Sequence, residues 1–142
     1  MIIKRALAGV TAIALTSLSF ADDKSTNQKG DLWLLTGISY ETVSSSNMTT
    51  EFGLGWYGLG GGVNYYAESN KQGLMYSARV GDWGFGYALN AGINYVGKFN
   101  DSLGWRLGVG LEYLDITGDP SGLLNNVSAV FPYFEASLGI KM

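Results

Sequence analysis

The sequence has 142 residues, a formal net charge of −3, and neither cysteine nor histidine. This length fits one domain, and the acidic balance excludes a nucleic-acid partner, because binding to phosphate backbones requires clustered Lys and Arg. Without histidine the chain lacks the commonest general base and metal ligand, so we expect no enzyme activity, no cofactor and no metal site. The 21 Gly, with 9 Tyr, 6 Phe and 4 Trp, favour strands over helices.

The first residues have the pattern of a secretory signal. Lys4 and Arg5 precede an apolar run over residues 6–15, and small residues stand at Ser19 and Ala21. This pattern predicts a signal peptide over residues 1–21, cleaved after Ala21. The apolar run is shorter than the ~20 residues that a transmembrane helix needs. We expect residues 22–30 to form a flexible periplasmic tail, and 31–142 to form one folded domain.

The first half of the domain alternates between apolar and polar residues but is irregular in one place. Even positions from Leu32 to Tyr40 form one apolar face, which predicts a strand over 31–43. Within 50–69 the apolar face changes parity between Trp56 and Val63, which requires a bulge, a bend or a hidden turn. Residues 53–58 match G-x-G-x-x-G, but a strand-like stretch follows instead of a helix, so we reject a dinucleotide site.

The second half contains the clearest pattern, a hairpin of two strands over 85–99 and 102–117. Asn100, Asp101 and Ser102 form its predicted turn, and the apolar faces of the two strands fall on the same side. Alternation continues to the last residue, which indicates that the C-terminus is itself part of a strand. The pattern predicts six strand segments: 31–43, 50–69, 73–82, 85–99, 102–117 and 127–142.

The opposite faces of these strands differ in a way that a soluble sandwich would not require. One face of the strand at 102–117 is apolar and the other carries glycine, Arg and Glu, which indicates lipid outside and a polar lumen inside. The predicted lipid-facing residues are Leu103, Trp105, Leu107, Val109, Leu111 and Tyr113. The predicted polar network of the lumen comprises Arg79, Asn90, Asn94, Lys98, Arg106, Glu112 and Glu135.

The chain resembles small bacterial outer-membrane barrels of the OmpA transmembrane domain, OmpX and opacity-protein type. The resemblance rests on residues 89–115 (LNAGINYVGKFNDSLGWRLGVGLEYLD) and on the terminal strand. It implies a C-terminal assembly signal at Phe134, Leu138, Ile140 and Met142, read by the outer-membrane insertion machinery, although the family generally ends in Phe or Trp. The smallest barrels of this class have eight strands, which fits here if 50–69 splits and 123–130 adds a strand.

The sequence therefore predicts an all-β, small antiparallel up-and-down transmembrane β-barrel in the outer membrane of a Gram-negative bacterium. We expect a monomer that contacts outer-membrane lipids, with a structural or surface-interaction role and no wide pore. Two alternatives stay open at this point. One is a soluble periplasmic β-barrel or sandwich that binds a small apolar ligand, and the other is a lipid-modifying barrel enzyme using Ser77 or Glu112.

Overall fold

The computed structural model describes residues 30–117 and 127–142, so the predicted signal peptide and nearly all of the predicted tail lie outside the described residues. The described chain forms antiparallel strands that close into one barrel, which confirms the predicted all-β, up-and-down barrel. Consecutive strands pair with each other, and the first pairs with the last. The eight strands are β1 (Asp31–Leu35), β2 (Ile38–Val43), β3 (Met48–Gly55), β4 (Gly58–Tyr66), β5 (Gly73–Asp82), β6 (Gly86–Lys98), β7 (Leu103–Ile116) and β8 (Val127–Lys141).

The parity change within 50–69 is a hidden turn. β3 and β4 pair from Gly55 opposite Gly58 back to Met48 opposite Tyr65, so Trp56 and Tyr57 form a two-residue connection. A two-residue turn exchanges odd and even positions between the strands that it joins, because side chains alternate with a period of two. This explains why the apolar face moves from even positions in β3 to odd positions in β4.

The prediction of a single strand over 31–43 is wrong, because β1 and β2 are separate strands joined at Thr36 and Gly37. Leu35 adopts a positive φ of 105° at this turn. The pairing of Asp31 with Glu41 and Trp33 with Ser39 leaves even positions outward on both strands. The proposed extra strand over 123–130 is not found, since Val127–Val130 belong to β8 and 123–126 lie outside the described residues.

Strand length divides the barrel into two walls. We call β1–β4, with strands of 5 to 9 residues, the short wall, and β5–β8, with strands of 10 to 15 residues, the tall wall. Gly30, Met142 and the turns 44–47, 67–72 and 99–102 lie at one end of the barrel, which we call the terminal end. The two walls therefore start at a common end and reach different heights.

The two faces of the barrel wall have opposite character. On β7 the apolar residues Leu107, Val109 and Leu111 are 55%, 54% and 60% exposed on the outer face. Arg106 precedes them in sequence but points inward and is 1% exposed. Large apolar side chains thus cover the outside, and the interior of the barrel is the buried core of the protein.

Candidate functional site

Five charged side chains fill the middle of the barrel interior. They come from five strands, and each is at most 7% exposed. Buried charges are costly unless they are paired, so their mutual arrangement determines whether the barrel is stable. The members of this charge cluster are Glu41 on β2, Glu51 on β3, Arg79 on β5, Arg106 on β7 and Glu135 on β8.

Glu51 is the carboxylate that both arginines share. Arg79 Nη2 lies 3.1 Å from Glu51 Oε2, and Arg106 Nη2 lies 3.2 Å from Glu51 Oε1. Ser39 Oγ also donates to Glu51 Oε1 at 2.6 Å. Glu135, on β8, contacts the same two arginines. Its Oε2 lies 3.0 Å from Arg79 Nη1, and its Oε1 lies 2.5 Å from Arg106 Nε. The four side chains form a closed ring of charge-assisted contacts across the barrel.

Glu41 organises the interior of the short wall. Its Oε2 accepts a hydrogen bond from Trp33 Nε1 at 2.7 Å. Its Oε1 accepts from Tyr66 OH at 2.7 Å and Asn64 Nδ2 at 3.1 Å, and the Thr49 hydroxyl also donates to it. The donors come from β1, β3 and β4, while Arg106 of the tall wall approaches to 3.6 Å. One carboxylate therefore connects all four short strands.

Aromatic rings extend the cluster toward both ends of the barrel. The Arg106 guanidinium lies 4.5 Å from the centre of the Trp33 ring, and that of Arg79 lies 5.9 Å from the centre of the Tyr57 ring. The Trp33 ring packs against Gly139, where an added Cβ would stand 2.8 Å from the ring. Inward glycines thus provide the space that inward aromatic rings occupy, an alternation of small and large residues typical of small barrels.

A second set of buried polar side chains lies inside the tall wall, toward the end of the barrel opposite the terminal end. Asn90 and Glu112 stand directly opposite each other on β6 and β7 and are 4% and 2% exposed. Among the described residues no hydrogen-bond partner is found for four of their buried atoms: Nδ2 and Oδ1 of Asn90, Oε2 of Glu112 and the hydroxyl of the nearby Tyr133. Asn94, by contrast, donates to Ser77 Oγ at 3.1 Å.

A cavity of about 370 Å³ opens at the terminal end. Its lining includes the buried side chains of Trp33, Tyr66 and Val96, together with three lysines. Burial lowers the pKa of the Lys71 ammonium below its usual range, and the carboxylates of Glu41 and Asp31 oppose that shift. The lysines of this cavity are Lys71, Lys98 and Lys141.

The structure brings together only part of the predicted lumen network. Arg79, Arg106 and Glu135 meet in the charge cluster, whereas Asn90, Asn94 and Glu112 lie inside the barrel but outside that cluster. Lys98 has inward parity but stands at the terminal end, where its half-exposed side chain lies 3.6 Å from Asp101. The strand ends there, so Lys98 reaches solvent and not the interior.

The short wall contributes residues to the site that the predicted lumen network does not include. Glu41 and Glu51 both occupy odd positions, between the outward Tyr40 and Thr42 and the outward Thr50 and Phe52, and this alternation would have assigned them to the interior. The groups that they contact depend on strand pairing within the two hairpins, which the sequence pattern does not divide into separate strands. The short wall also contributes Trp33, Ser39, Thr49, Tyr57, Asn64 and Tyr66 to the interior, none of which the predicted network includes.

The predicted outward residues of the terminal strand are all on the outer surface. Phe134, Leu138, Ile140 and Met142 are between 37% and 69% exposed. On β7, Leu107, Val109 and Leu111 are more than half exposed, and Leu103, Trp105 and Tyr113 at the ends of the same face are partly exposed. All of these side chains therefore face outward, as the alternation of the sequence predicts.

Comparison with protein-family models, with curated proteins and with solved structures found no match to this chain. Over residues 30–117 and 127–142, no group of three or more acidic, Cys or His side chains is placed to hold a metal ion. The same ranges contain no helix that is long and apolar enough to cross a membrane.

Proposed function

We propose that the chain is a non-enzymatic β-barrel of the outer membrane of a Gram-negative bacterium, with a structural or surface-interaction role and no wide pore. The observation that carries this proposal is the inverted distribution of side chains. Charged groups are buried inside the barrel, while leucine, valine and aromatic side chains cover the outside. Water would favour the opposite arrangement, and hydrocarbon favours this one.

The height of the apolar outer band supports a membrane. On β7 the band runs from Leu103 to Tyr113. Ten residue steps of ~3.3 Å at a strand tilt of ~40° give an axial height of about 25 Å, the height of the apolar band of outer-membrane barrels. The tall wall therefore has the length that the hydrocarbon core of a bilayer requires.

Aromatic pairs mark both edges of this band. Tyr95 and Trp105 stack with ring centres 6.0 Å apart toward the terminal end, and Tyr87 and Tyr113 lie 6.2 Å apart toward the opposite end. The Tyr113 hydroxyl reaches the Asp115 carboxylate at 3.2 Å, just beyond the band. Amphipathic rings in two belts are typical of side chains at the two membrane–water interfaces.

The charge cluster supports a structural role. Arg79 contacts two carboxylates and Arg106 contacts three. Glu41 and Glu51 also accept several hydrogen bonds each, so these groups stabilise the interior and do not await a substrate. Their side chains occupy the middle of the barrel, where a wide pore would have to pass. We propose surface interaction as the remaining role, exerted at the ends of the barrel, and assembly by the insertion machinery through β8.

The two alternatives find less support in the geometry. A soluble barrel that binds an apolar ligand needs an apolar interior, whereas this interior has Arg106 and Glu51 at its centre. A lipid-modifying enzyme needs an activated nucleophile beside a base. The Ser77 hydroxyl instead accepts a hydrogen bond from Asn94, and Glu112 lies opposite Asn90 on other strands.

Cell fractionation and arginine substitution on the outer face test the membrane proposal together. We expect the chain in the outer-membrane fraction, with a change in gel mobility on boiling. Val109→Arg places a charge near the middle of the proposed band and should lower the free energy of unfolding in lipid by about 2–4 kcal/mol. Asp101→Arg in the exposed turn is the matched control and should change it by less than about 0.5 kcal/mol.

A soluble location reverses the expected result. Val109 is 54% exposed, so in a water-soluble protein Val109→Arg would be tolerated about as well as Asp101→Arg. Recovery in the soluble periplasm, with no heat-dependent mobility and equal tolerance of both arginines, would overturn the proposal.

A further inference from the structure

The cavity at the terminal end collects the lysines of the described chain. Every lysine among the described residues lines it, although the three come from separate elements. Lys71 stands in the turn 67–72, Lys98 ends β6 and Lys141 ends β8. The two arginines of the described residues, by contrast, lie in the buried charge cluster. In a chain whose net charge is −3, this distribution makes one end of the barrel basic.

Two of these lysines have no ionic partner within the described chain. Lys98 lies 3.6 Å from the exposed Asp101, but no ion pair joins Lys71 or Lys141 to a described carboxylate. Asp31 is the one acidic residue among the described residues that line the cavity, and it stands opposite Lys141 in the ladder between β1 and β8. With three lysines against one carboxylate, the lining has an excess of two positive charges.

The lysine of the turn is held in place against repulsion. Burial lowers the pKa of the Lys71 ammonium, the carboxylates of Glu41 and Asp31 oppose that shift, and the positive charge of Lys141 adds to it. Lys71 also adopts a positive φ of 58°, a conformation that residues other than glycine and asparagine rarely adopt. The turn fixes this conformation, since Lys71 N donates to Glu68 O at 3.1 Å. Two ammonium groups thus share one space, and an anion between them would relieve their repulsion.

The floor of the same cavity is apolar and aromatic. Trp33, Tyr66 and Val96 line it and form a buried apolar cluster with Met75. The volume of about 370 Å³ lies at the lower end of the range for small-molecule pockets, ~300–1,000 Å³. Such pockets combine an apolar surface with a few charged groups that orient the ligand. The cavity therefore fits a small organic anion, and it leaves room for more than an inorganic ion.

We propose that the terminal-end cavity binds a small, soluble phosphate monoester, with the phosphate among the three lysines and the organic group on the aromatic floor. A phosphate monoester carries about −1.5 to −2 charges near pH 7, which matches the excess charge of the lining. Lysine binds phosphate as a point charge with three N–H donors. Because the lysines line the inside of the barrel end, the ligand enters from water and not from surrounding lipid. The inference rests on the proposed surface-interaction role of the barrel ends, but not on the membrane location.

Calorimetric titration of the intact chain with phenyl phosphate, in a nonionic detergent, tests the site. We expect saturable binding of this probe. Inorganic phosphate should bind about tenfold more weakly, because it cannot contact the aromatic floor, and phenol should not bind measurably, because it carries no charge. Dihexanoyl phosphatidic acid tests a lipid source of the phosphate. It should bind no more tightly than phenyl phosphate, and tighter binding would overturn the assignment to a soluble ester.

Two lysine variants and a matched control locate the binding. Lys71→Gln and Lys141→Gln each remove one ammonium group without an ionic partner in the described chain, so each should weaken the binding of phenyl phosphate about tenfold. Thr117→Glu lowers the net charge by the same one unit at the exposed opposite end of the barrel, and it should change the affinity by less than about twofold. Circular dichroism checks that each variant keeps its strand content, and either lysine variant suffices for the test.

The contrary outcomes are distinct from those of the membrane proposal. No binding of phenyl phosphate by the intact chain, or equal affinities of Lys71→Gln and Thr117→Glu, would overturn the phosphate site. Binding that begins only after removal of residues 22–29 would also overturn it, since a segment of the chain itself would then be the occupant. Cell fractionation tests the membrane location independently, so either proposal can fail while the other stands.

Discussion

The short and tall walls hold themselves together in different ways. The tall wall has long ladders, with thirteen register pairs between β6 and β7 and fourteen between β7 and β8. β1 and β2 share only three. The short wall compensates with side chains, because Glu41 alone accepts hydrogen bonds from Trp33, Asn64 and Tyr66. Backbone pairing stabilises one wall, and a buried carboxylate hub stabilises the other.

The charge cluster links the short wall to the tall wall. The carboxylates Glu41 and Glu51 come from the short wall, while Arg79 and Arg106 come from the tall wall. Each wall by itself would therefore leave charges without partners, and only the closed barrel brings the carboxylates of Glu41 and Glu51 to the two arginines. Pairing across the interior thus favours the closed sheet over partly assembled forms.

The largest expected effect comes from removing an arginine that both walls share. Arg106→Met leaves Glu51 and Glu135 buried with only Arg79 to balance them, and should lower the free energy of unfolding by about 3–5 kcal/mol. Urea titration of the refolded barrel measures this. Lys98→Met is the matched control, since the Lys98 side chain is half-exposed and its ion pair is with the fully exposed Asp101, and it should cost less than about 0.5 kcal/mol. Similar losses in the two variants would show that the cluster does not couple the walls.

The carboxylate hub of the short wall ranks next. Glu41→Gln keeps the shape of the side chain but removes the charge that its donors and Arg106 face, which should cost about 2–3 kcal/mol. Because β1 and β2 depend on this residue most, hydrogen exchange should accelerate there more than in β6 and β7. Glu68→Gln in the exposed turn 67–72 is the control. Uniform acceleration across all eight strands would contradict a local role for the hub.

The comparison of walls also explains what the sequence could and could not predict. The tall wall was predicted closely, since 73–82 and the hairpin of 85–99 and 102–117 match β5, β6 and β7. Its turns are flanked by long alternating runs. The short wall was misread, because the turn at Thr36 and Gly37 preserves parity, so the alternation of β1 continues into β2 without a visible break. Glu41 lies on the inward face of that continued alternation, but its partners could not be predicted, because an alternating pattern reports the face of a residue and not the groups that it contacts.

A smaller effect is expected where the walls pack at the seam between β1 and β8. Gly139→Ala would place a Cβ 2.8 Å from the Trp33 ring, which is fixed by Glu41 and by Arg106. We expect a cost of about 1–2 kcal/mol in the free energy of unfolding. Gly104, directly opposite Gly139 on β7, is the control, because a Cβ there would stand 3.6 Å from the same ring and 3.2 Å from its nearest neighbour, the Gly97 carbonyl oxygen. Equal losses for Gly139→Ala and Gly104→Ala would mean that Trp33 can move.

The smallest expected effect concerns the contact that closes the seam above β1. Trp56→Phe keeps an aromatic ring but removes the indole N–H that donates to the Phe134 carbonyl, so the free energy of unfolding should fall by about 0.5–1 kcal/mol. The loss of this contact should also loosen the end of the ladder between β1 and β8, which covers Ser137 to Lys141. Amide exchange at Thr36, whose N–H donates to Ala136, reports this opening directly. Trp105→Phe, whose ring stacks on Tyr95 within the tall wall, should leave the exchange of Thr36 unchanged, and an equal rise in both variants would show that Trp56 does not act at the seam.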